Sequence, residues 1–255
     1  MAIERDGWVI RREPRRGARM RLFCFHHAGG GASAFASWPS LLGEATELCA
    51  VQTPGRENLF LQPRLRSIDA LLPELLWRLK PWLDRPFAFF GHSLGGLVAF
   101  SAAHRLIEAG GPACELLMLS ACLPPHAPRT ASVLADAPEP ELLDSLRKLG
   151  SASAPALENA ELRALFLPVL RDDLAMAESF FGGQWSRLQL PIMAFGGDND
   201  TSVPRQKLEL WRDYSDDGFA LTTFPGGHFY IEDSRAALVG AIRERLAAQP
   251  MTSPG

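Results

Sequence analysis

Phe87-Ala88-Phe89-Phe90-Gly91-His92-Ser93-Leu94-Gly95-Gly96 decides the fold, because four apolar residues run into a serine flanked by glycines and then into a helical pattern that lasts to Ile107. Phe87 to Phe90 reads as a strand, and Gly96 to Ile107 as a helix closed by Gly110, Gly111 and Pro112. Between them, Gly91-His92-Ser93-Leu94-Gly95 fits the G-x-S-x-G nucleophile elbow. A strand that reverses so sharply into a helix leaves no room for a β-carbon two residues either side of the serine, whose own backbone is strained. Ser93 is then presented at the turn. The amide of Leu94, at the helix N-terminus, can donate to an oxyanion with the helix dipole behind it.

Working outward, strands and helices alternate. Arg19 to Phe25 reads as a strand that runs into His26-His27-Ala28-Gly29-Gly30-Gly31 and a helical segment holding Phe35 and Trp38. Consecutive glycines let the backbone bend its amides toward a ligand, which makes the Ala28 amide the expected second oxyanion donor. Leu48 to Val51 is a further strand, Ile68 to Leu83 a helix, and Glu115 to Ser120 the strand after the elbow helix. The alternation stops between about 124 and 184, where only three helical patterns occur, around Glu139 to Leu149, Ala160 to Leu170 and Asp172 to Phe181. This reads as a helical lid inserted over the sheet, in which apolar residues such as Leu142, Leu143 and Phe180 are either packed core or the lining of an acyl pocket. The strands Ile192 to Phe195 and Phe219 to Phe224 and a final helix, Ser234 to Ala247, complete the chain ahead of a polar tail. The expectation is an α/β chain with a mostly parallel, doubly wound sheet, forming one domain over residues 1–255.

Composition narrows the function classes. With 255 residues, 47% hydrophobic, the chain suffices for one large core, and a formal charge of −3 argues against nucleic-acid binding. Arg11, Arg12, Arg15, Arg16, Arg19 and Arg21 form a basic cluster that either edges the surface or docks an acidic partner. Met1-Ala2-Ile3-Glu4-Arg5-Asp6 lacks the pattern of a targeting signal, and no apolar run approaches the ~18 residues of a membrane span, so a cytoplasmic protein is expected. Cys24, Cys49, Cys114 and Cys122 have no metal-ligand spacing and read as reduced core thiols; neither a metal nor a cofactor is expected.

Ser93, Asp200 and His228 follow in the order nucleophile, acid, base, each just after an expected strand and hence along the carboxyl edge of a parallel sheet. Serine becomes a nucleophile when a neutral imidazole takes its proton, and a carboxylate holds that imidazole's tautomer. Asp200 is preferred to Asp198 by its spacing to Val203-Pro204, and His228 is the expected base. His92 belongs to the elbow, while His26 and His27 read as loop-shaping residues.

Together, Phe25-His26-His27-Ala28-Gly29-Gly30, Pro54-Gly55-Arg56-Glu57, Gly91-His92-Ser93-Leu94-Gly95, Leu167-Pro168-Val169-Leu170-Arg171-Asp172-Asp173, Gly196-Gly197-Asp198-Asn199-Asp200 and Phe224-Pro225-Gly226-Gly227-His228-Phe229-Tyr230 make the chain resemble a type II thioesterase of polyketide and nonribosomal peptide synthases, within the α/β-hydrolase superfamily. Two positions depart from the usual pattern, His26 for a common proline and Leu59 for a common arginine. The resemblance implies an α/β-hydrolase fold and hydrolysis of acyl groups from the phosphopantetheine arm of acyl or peptidyl carrier proteins, with Arg56 and the N-terminal arginines as candidate docking residues. A monomer is expected. The alternatives are a carboxylesterase, a medium-chain fatty acyl thioesterase, and a non-catalytic protein that captures acylated carriers.

Overall fold

In the computed structural model, which describes residues 7–128, 134–150 and 155–248, seven strands form one sheet in the order β1-β3-β2-β4-β5-β6-β7. They are β1 (Val9–Ile10), β2 (Met20–Phe25), β3 (Thr46–Val51), β4 (Phe87–His92), β5 (Leu116–Ser120), β6 (Ile192–Gly197) and β7 (Phe219–Phe224). β2 to β7 are parallel, and only the two-residue edge strand β1 runs antiparallel, against β3. The helices are α1 (Pro39–Leu42), α2 (Ile68–Leu79), α3 (Leu94–Glu108), α4 (Glu139–Leu149), α5 (Ala160–Phe180), α6 (Arg205–Leu208), α7 (Tyr230–Asp233) and α8 (Arg235–Ala247).

The inner strands β4 and β5 are buried along their whole length because both faces of the sheet are covered there, and alternate residues serve opposite cores. Phe23, Phe25, Phe89, Leu117 and Leu119 pack with Leu71, Leu75 and Phe100 of α2 and α3. Leu22, Cys24, Phe90 and Met118 face the other way, onto Trp38 and onto Leu238, Val239 and Ile242 of α8. All four cysteines lie in these cores as free thiols, and burial raises the pKa of each. Among the described residues, no helix is long and apolar enough to cross a membrane.

Several elements differ from the sequence expectation. Phe35 and Trp38 lie in and just after a 3-10 turn over Ala32–Phe35 rather than in a full helix, and where the spacing from Gln206 to Trp211 predicts a helix there is a single α-turn followed by a 3-10 stretch, Glu209–Tyr214. The two helices expected around residues 160–181 are one, α5, with Pro168 inside it. Proline removes the N–H that would bond the carbonyl four residues back. Here the helix continues past Pro168, and Ala164, four residues back, is exposed to solvent. The first six residues, the tail from 249 onward, and 129–133 and 151–154 of the inserted segment lie outside the described residues.

Candidate active site

Ser93 joins β4 to α3 with φ 54° and ψ −119°, a backbone conformation that costs of order 1–3 kcal/mol and persists only where its surroundings enforce it. Its N–H donates to the Ser120 carbonyl at 2.8 Å, which ties the elbow to the end of β5. The flanking glycines are required by close approach: a β-carbon on Gly91 would overlap the Gly95 carbonyl, and one on Gly95 would overlap the Phe25 carbonyl and lie 2.7 Å from that of His26.

His228 sits in the loop after β7, buried, with its two ring nitrogens on different partners. Nε2 is 3.1 Å from Ser93 Oγ, and Nδ1 is 2.8 Å from Asp200 Oδ2. Asp200, in the loop after β6, accepts on its other oxygen from Ser202 N at 2.9 Å, Ser202 Oγ at 2.6 Å and Val203 N at 3.0 Å. Burial alone would raise the Asp200 carboxyl, but the hydrogen bond and charge of His228, with the Ser202 and Val203 donors, outweigh it and hold the group well below the usual carboxylate range. An ionised Asp200 fixes the proton on Nδ1 and leaves the Nε2 lone pair facing the serine hydroxyl. Asp198 is exposed, with its N–H bonded to the Phe224 carbonyl. Ser202, which the sequence did not single out, also lies 3.2 Å from His228 Nδ1.

Two further histidines crowd the site. The His92 ring lies 5.5 Å from that of His228 and 6.0 Å from that of His27, and Phe229 packs against all three. His92 Nδ1 is 2.8 Å from Ser120 Oγ, which is 2.6 Å from Tyr230 Oη, so a buried polar chain braces the elbow from below. Burial, then the neighbouring His228 charge, keeps the His92 pKa well below the usual imidazole range, and the same causes with Arg56 lower that of His27 to about 4. His26 is likewise lowered, by burial first and by Arg56. These rings are neutral where a base must accept a proton, so they add no positive charge beneath an imidazolium at His228.

The glycine loop after β2 is held at almost every residue. His26 Nδ1–H donates to the His27 carbonyl at 2.9 Å, and its Nε2 accepts from Thr53 Oγ1 at 2.9 Å. The Gly30 N–H donates to the same His27 carbonyl at 3.0 Å. No peptide here is cis, so with the His27 carbonyl pinned by two donors the Ala28 N–H of that peptide points the opposite way. Gln52 Oε1 accepts from Ala32 N at 2.7 Å, and Glu57 Oε1 from Ser33 N at 3.2 Å. Among the described residues the N–H groups of Ala28 and Leu94 donate to no other group, which leaves both for a ligand.

Other candidates from the sequence lie elsewhere. Arg56 is buried and paired with Asp173 of α5 through two bonds of 2.6 and 2.7 Å, so it cannot dock an external partner. Arg11 and Arg21 are turned onto the buried Glu47, and Arg15 onto main-chain carbonyls of Pro39 and Gly43. Arg19 and Arg21 sit where β2 begins, about 20 Å of strand from the edge that carries Ser93, whereas Arg11 and Arg12 directly follow β1, whose Ile10 pairs with Ala50 toward the other end of the strands. Phe180 is buried against Phe100 and Trp185 in the sheet core. Leu142, Leu143, Leu146, Leu167 and Leu170 form a separate cluster that reaches Phe166 and Ala28. An open cavity of about 430 Å³ beside α5 is lined by Arg64, Arg66, Arg171 and Asp172, and none of Ser93, Asp200 and His228 borders it. Among the described residues no three His, Cys, Asp or Glu side chains are grouped to hold a metal ion.

The family model of the thioesterase domain matches residues 20–246. The gramicidin S biosynthesis protein GrsT of Aneurinibacillus migulanus is 32% identical over 239 residues, 94% of this chain and 93% of that protein. Thioesterase PikA5 of Streptomyces venezuelae is 34% identical over 242 residues, covering 94% and 85%. Among solved structures, the type II thioesterase BorB from the borrelidin biosynthetic cluster superposes with a TM-score of 0.82 at 32% identity, over 95% of this chain and 97% of that one.

Proposed function

The chain belongs to the thioesterase family, with the α/β-hydrolase fold, and from that premise we propose that it hydrolyses acyl groups from the phosphopantetheine arm of acyl or peptidyl carrier proteins, clearing stalled or misprimed polyketide and nonribosomal peptide synthases. One observation carries the chemistry: His228 lies between Ser93 Oγ and Asp200, at 3.1 and 2.8 Å. On this reading Ser93 Oγ attacks the thioester carbonyl, His228 Nε2 takes its proton and passes it to the departing thiol, and the acyl-enzyme forms. The amides of Ala28 and Leu94 receive the oxyanion, the latter with the positive end of the α3 dipole. Water, activated by the same imidazole, then cleaves the acyl-enzyme and regenerates the serine. We read α4 and α5 as the lid of a single thioesterase domain.

The carrier-clearing reading ranks above a free fatty acyl thioesterase or a carboxylesterase because the similar proteins named above belong to gramicidin and borrelidin biosynthesis. Rates on three substrates with one acyl group test it: a carrier-borne thioester, the truncated pantetheine thioester, and an oxygen ester. The carrier substrate should give the highest kcat/KM. A carrier substrate turned over no better than the truncated one would return the reading to a free acyl-thioesterase.

A further inference from the structure

Gly29 follows Ala28 in the glycine loop, and its N–H donates to Asp173 Oδ2 at 2.7 Å. Asp173 belongs to α5, 144 residues later, and is 1% exposed. The same oxygen accepts from Arg56 Nη1 at 2.6 Å and the other from Nη2 at 2.7 Å, while Arg56 Nη1 also reaches the Gly30 carbonyl at 3.2 Å. A carboxylate buried this deeply needs a cation and a full set of donors, and it has both. Two turns earlier on α5, the ring of Phe166 lies against Gly29 so closely that a β-carbon there would come within 2.5 Å of it. The helix therefore grips one loop residue from two sides.

The consequence for catalysis follows from peptide geometry. The His27–Ala28 peptide bears the proposed oxyanion donor, and the next peptide, Ala28–Gly29, bears the N–H that Asp173 accepts. Holding both planes removes the freedom of Ala28 between them. Without the second anchor, Gly29, at φ +74° and followed by two more glycines, is free to let the Ala28–Gly29 plane flip. A flipped plane would aim the Ala28 carbonyl at the Asp173 carboxylate, so this acceptor selects against it.

We propose that Asp173, neutralised by Arg56, is a positioning residue for the oxyanion hole, through which helix α5 keeps in place the loop whose Ala28 amide the two donors on the His27 carbonyl turn outward. The inference rests on the reading of Ala28 and Leu94 as the oxyanion donors and assigns the scaffold of that site to the helix that also covers it. It predicts an effect on the transition state rather than on substrate binding, because the Asp173 carboxylate is buried with both oxygens taken by Gly29 and Arg56.

The test compares two uncharged, similarly sized side chains at one position. In an Arg56→Met background, which removes the cation that needs a counter-charge, Asp173→Asn keeps an oxygen for the Gly29 N–H and Asp173→Leu does not. The Leu variant should have a kcat about 10- to 100-fold below the Asn variant, short of the 10²- to 10³-fold cost of deleting an oxyanion donor outright, with KM for a truncated acyl thioester changed little. An acyl-chain trifluoromethyl ketone, which adds to the serine and carries an oxyanion, should lose affinity by the same factor. Equal kcat and equal ketone affinity in the two folded variants would overturn the proposal. If the Leu variant does not fold, amide exchange in glycine-labelled wild-type protein decides: the Gly29 N–H should exchange as slowly as core amides, and exchange at a free loop's rate would equally overturn it. Failure of the ketone to inhibit wild-type enzyme at all would instead refute the oxyanion reading on which the inference rests.

Discussion

Asp200→Asn is the substitution whose outcome the geometry constrains most tightly. One carboxylate oxygen accepts from Ser202 N, Ser202 Oγ and Val203 N, and the other faces His228 Nδ1 at 2.8 Å. An asparagine must keep its carbonyl on the three donors, since turning over would set an NH₂ against all of them. The NH₂ group is thereby aimed at Nδ1, which must then accept, and the imidazole proton moves to Nε2, where it blocks the serine. A template of this kind loses about 10⁴ in kcat when the tautomer is inverted. Independently, the carboxylate's attraction for an imidazolium at about 4 Å and an effective dielectric near 20 is worth about 4 kcal/mol, or roughly 10³ in rate. A loss of kcat/KM between about 10³ and 10⁴ is therefore expected, read as thiol release from a truncated acyl thioester. The circular-dichroism spectrum should be that of wild type. Asp198→Asn, at an exposed carboxylate, should stay within about threefold. Wild-type-like activity in Asp200→Asn, or an equal loss in Asp198→Asn, would refute the reasoning.

Three further outcomes follow from the packing and the charges. Phe180→Ala empties a fully buried site between Phe100 and Trp185 and should cost about 3–5 kcal/mol in a denaturant titration while leaving acyl-chain preference unchanged; a shifted preference would mean that the ring lines the substrate pocket. Gly95→Ala sets a β-carbon against the Phe25 and His26 carbonyls, neither of which is a flexible side chain, and should lower stability by at least about 1–3 kcal/mol; an unchanged denaturation midpoint would contradict the close packing of elbow and loop. The Asp200 carboxyl is lowered in the folded state, so its stabilising contribution is complete above the unfolded value near ~3.9 and is lost as pH falls through the folded one. The stability gap between wild type and Asp200→Asn should thus narrow as pH is taken from 6 to 3, and a gap that widens would reverse the sign of the linkage.

The sheet was legible in the sequence because buried parallel strands are continuous apolar runs bounded by turn residues, and the elbow because steric exclusion around Ser93 admits only glycine at Gly91 and Gly95. Spacing after strands also pointed to Ser93, Asp200 and His228, which the fold brings together. What escaped detection depends on contacts distant in sequence. Val9 and Ile10 are two residues whose strand character comes entirely from pairing with Ala50 and Val51. The continuity of α5 through Pro168 runs against the local rule that a proline inside a helical pattern ends or kinks it. Arg56 looked like a surface cation because its partner, Asp173, stands 117 residues away, and Phe180 was open between core and pocket because burial in a sheet core and in a ligand cavity call for the same side chain. Ser202 carried no signal beyond a hydroxyl two residues from the acid.

Removal of acyl groups from carrier proteins by Ser93 is read from intact-protein mass spectra of an acyl-phosphopantetheinyl carrier taken before and after incubation with the enzyme. Wild-type protein should convert the acyl-carrier to its free-thiol form, while Ser93→Ala, folded to the same melting temperature, should leave the acyl mass in place on that timescale. An acyl-carrier whose mass does not change with wild-type enzyme, or one cleared equally fast by Ser93→Ala, would contradict the account.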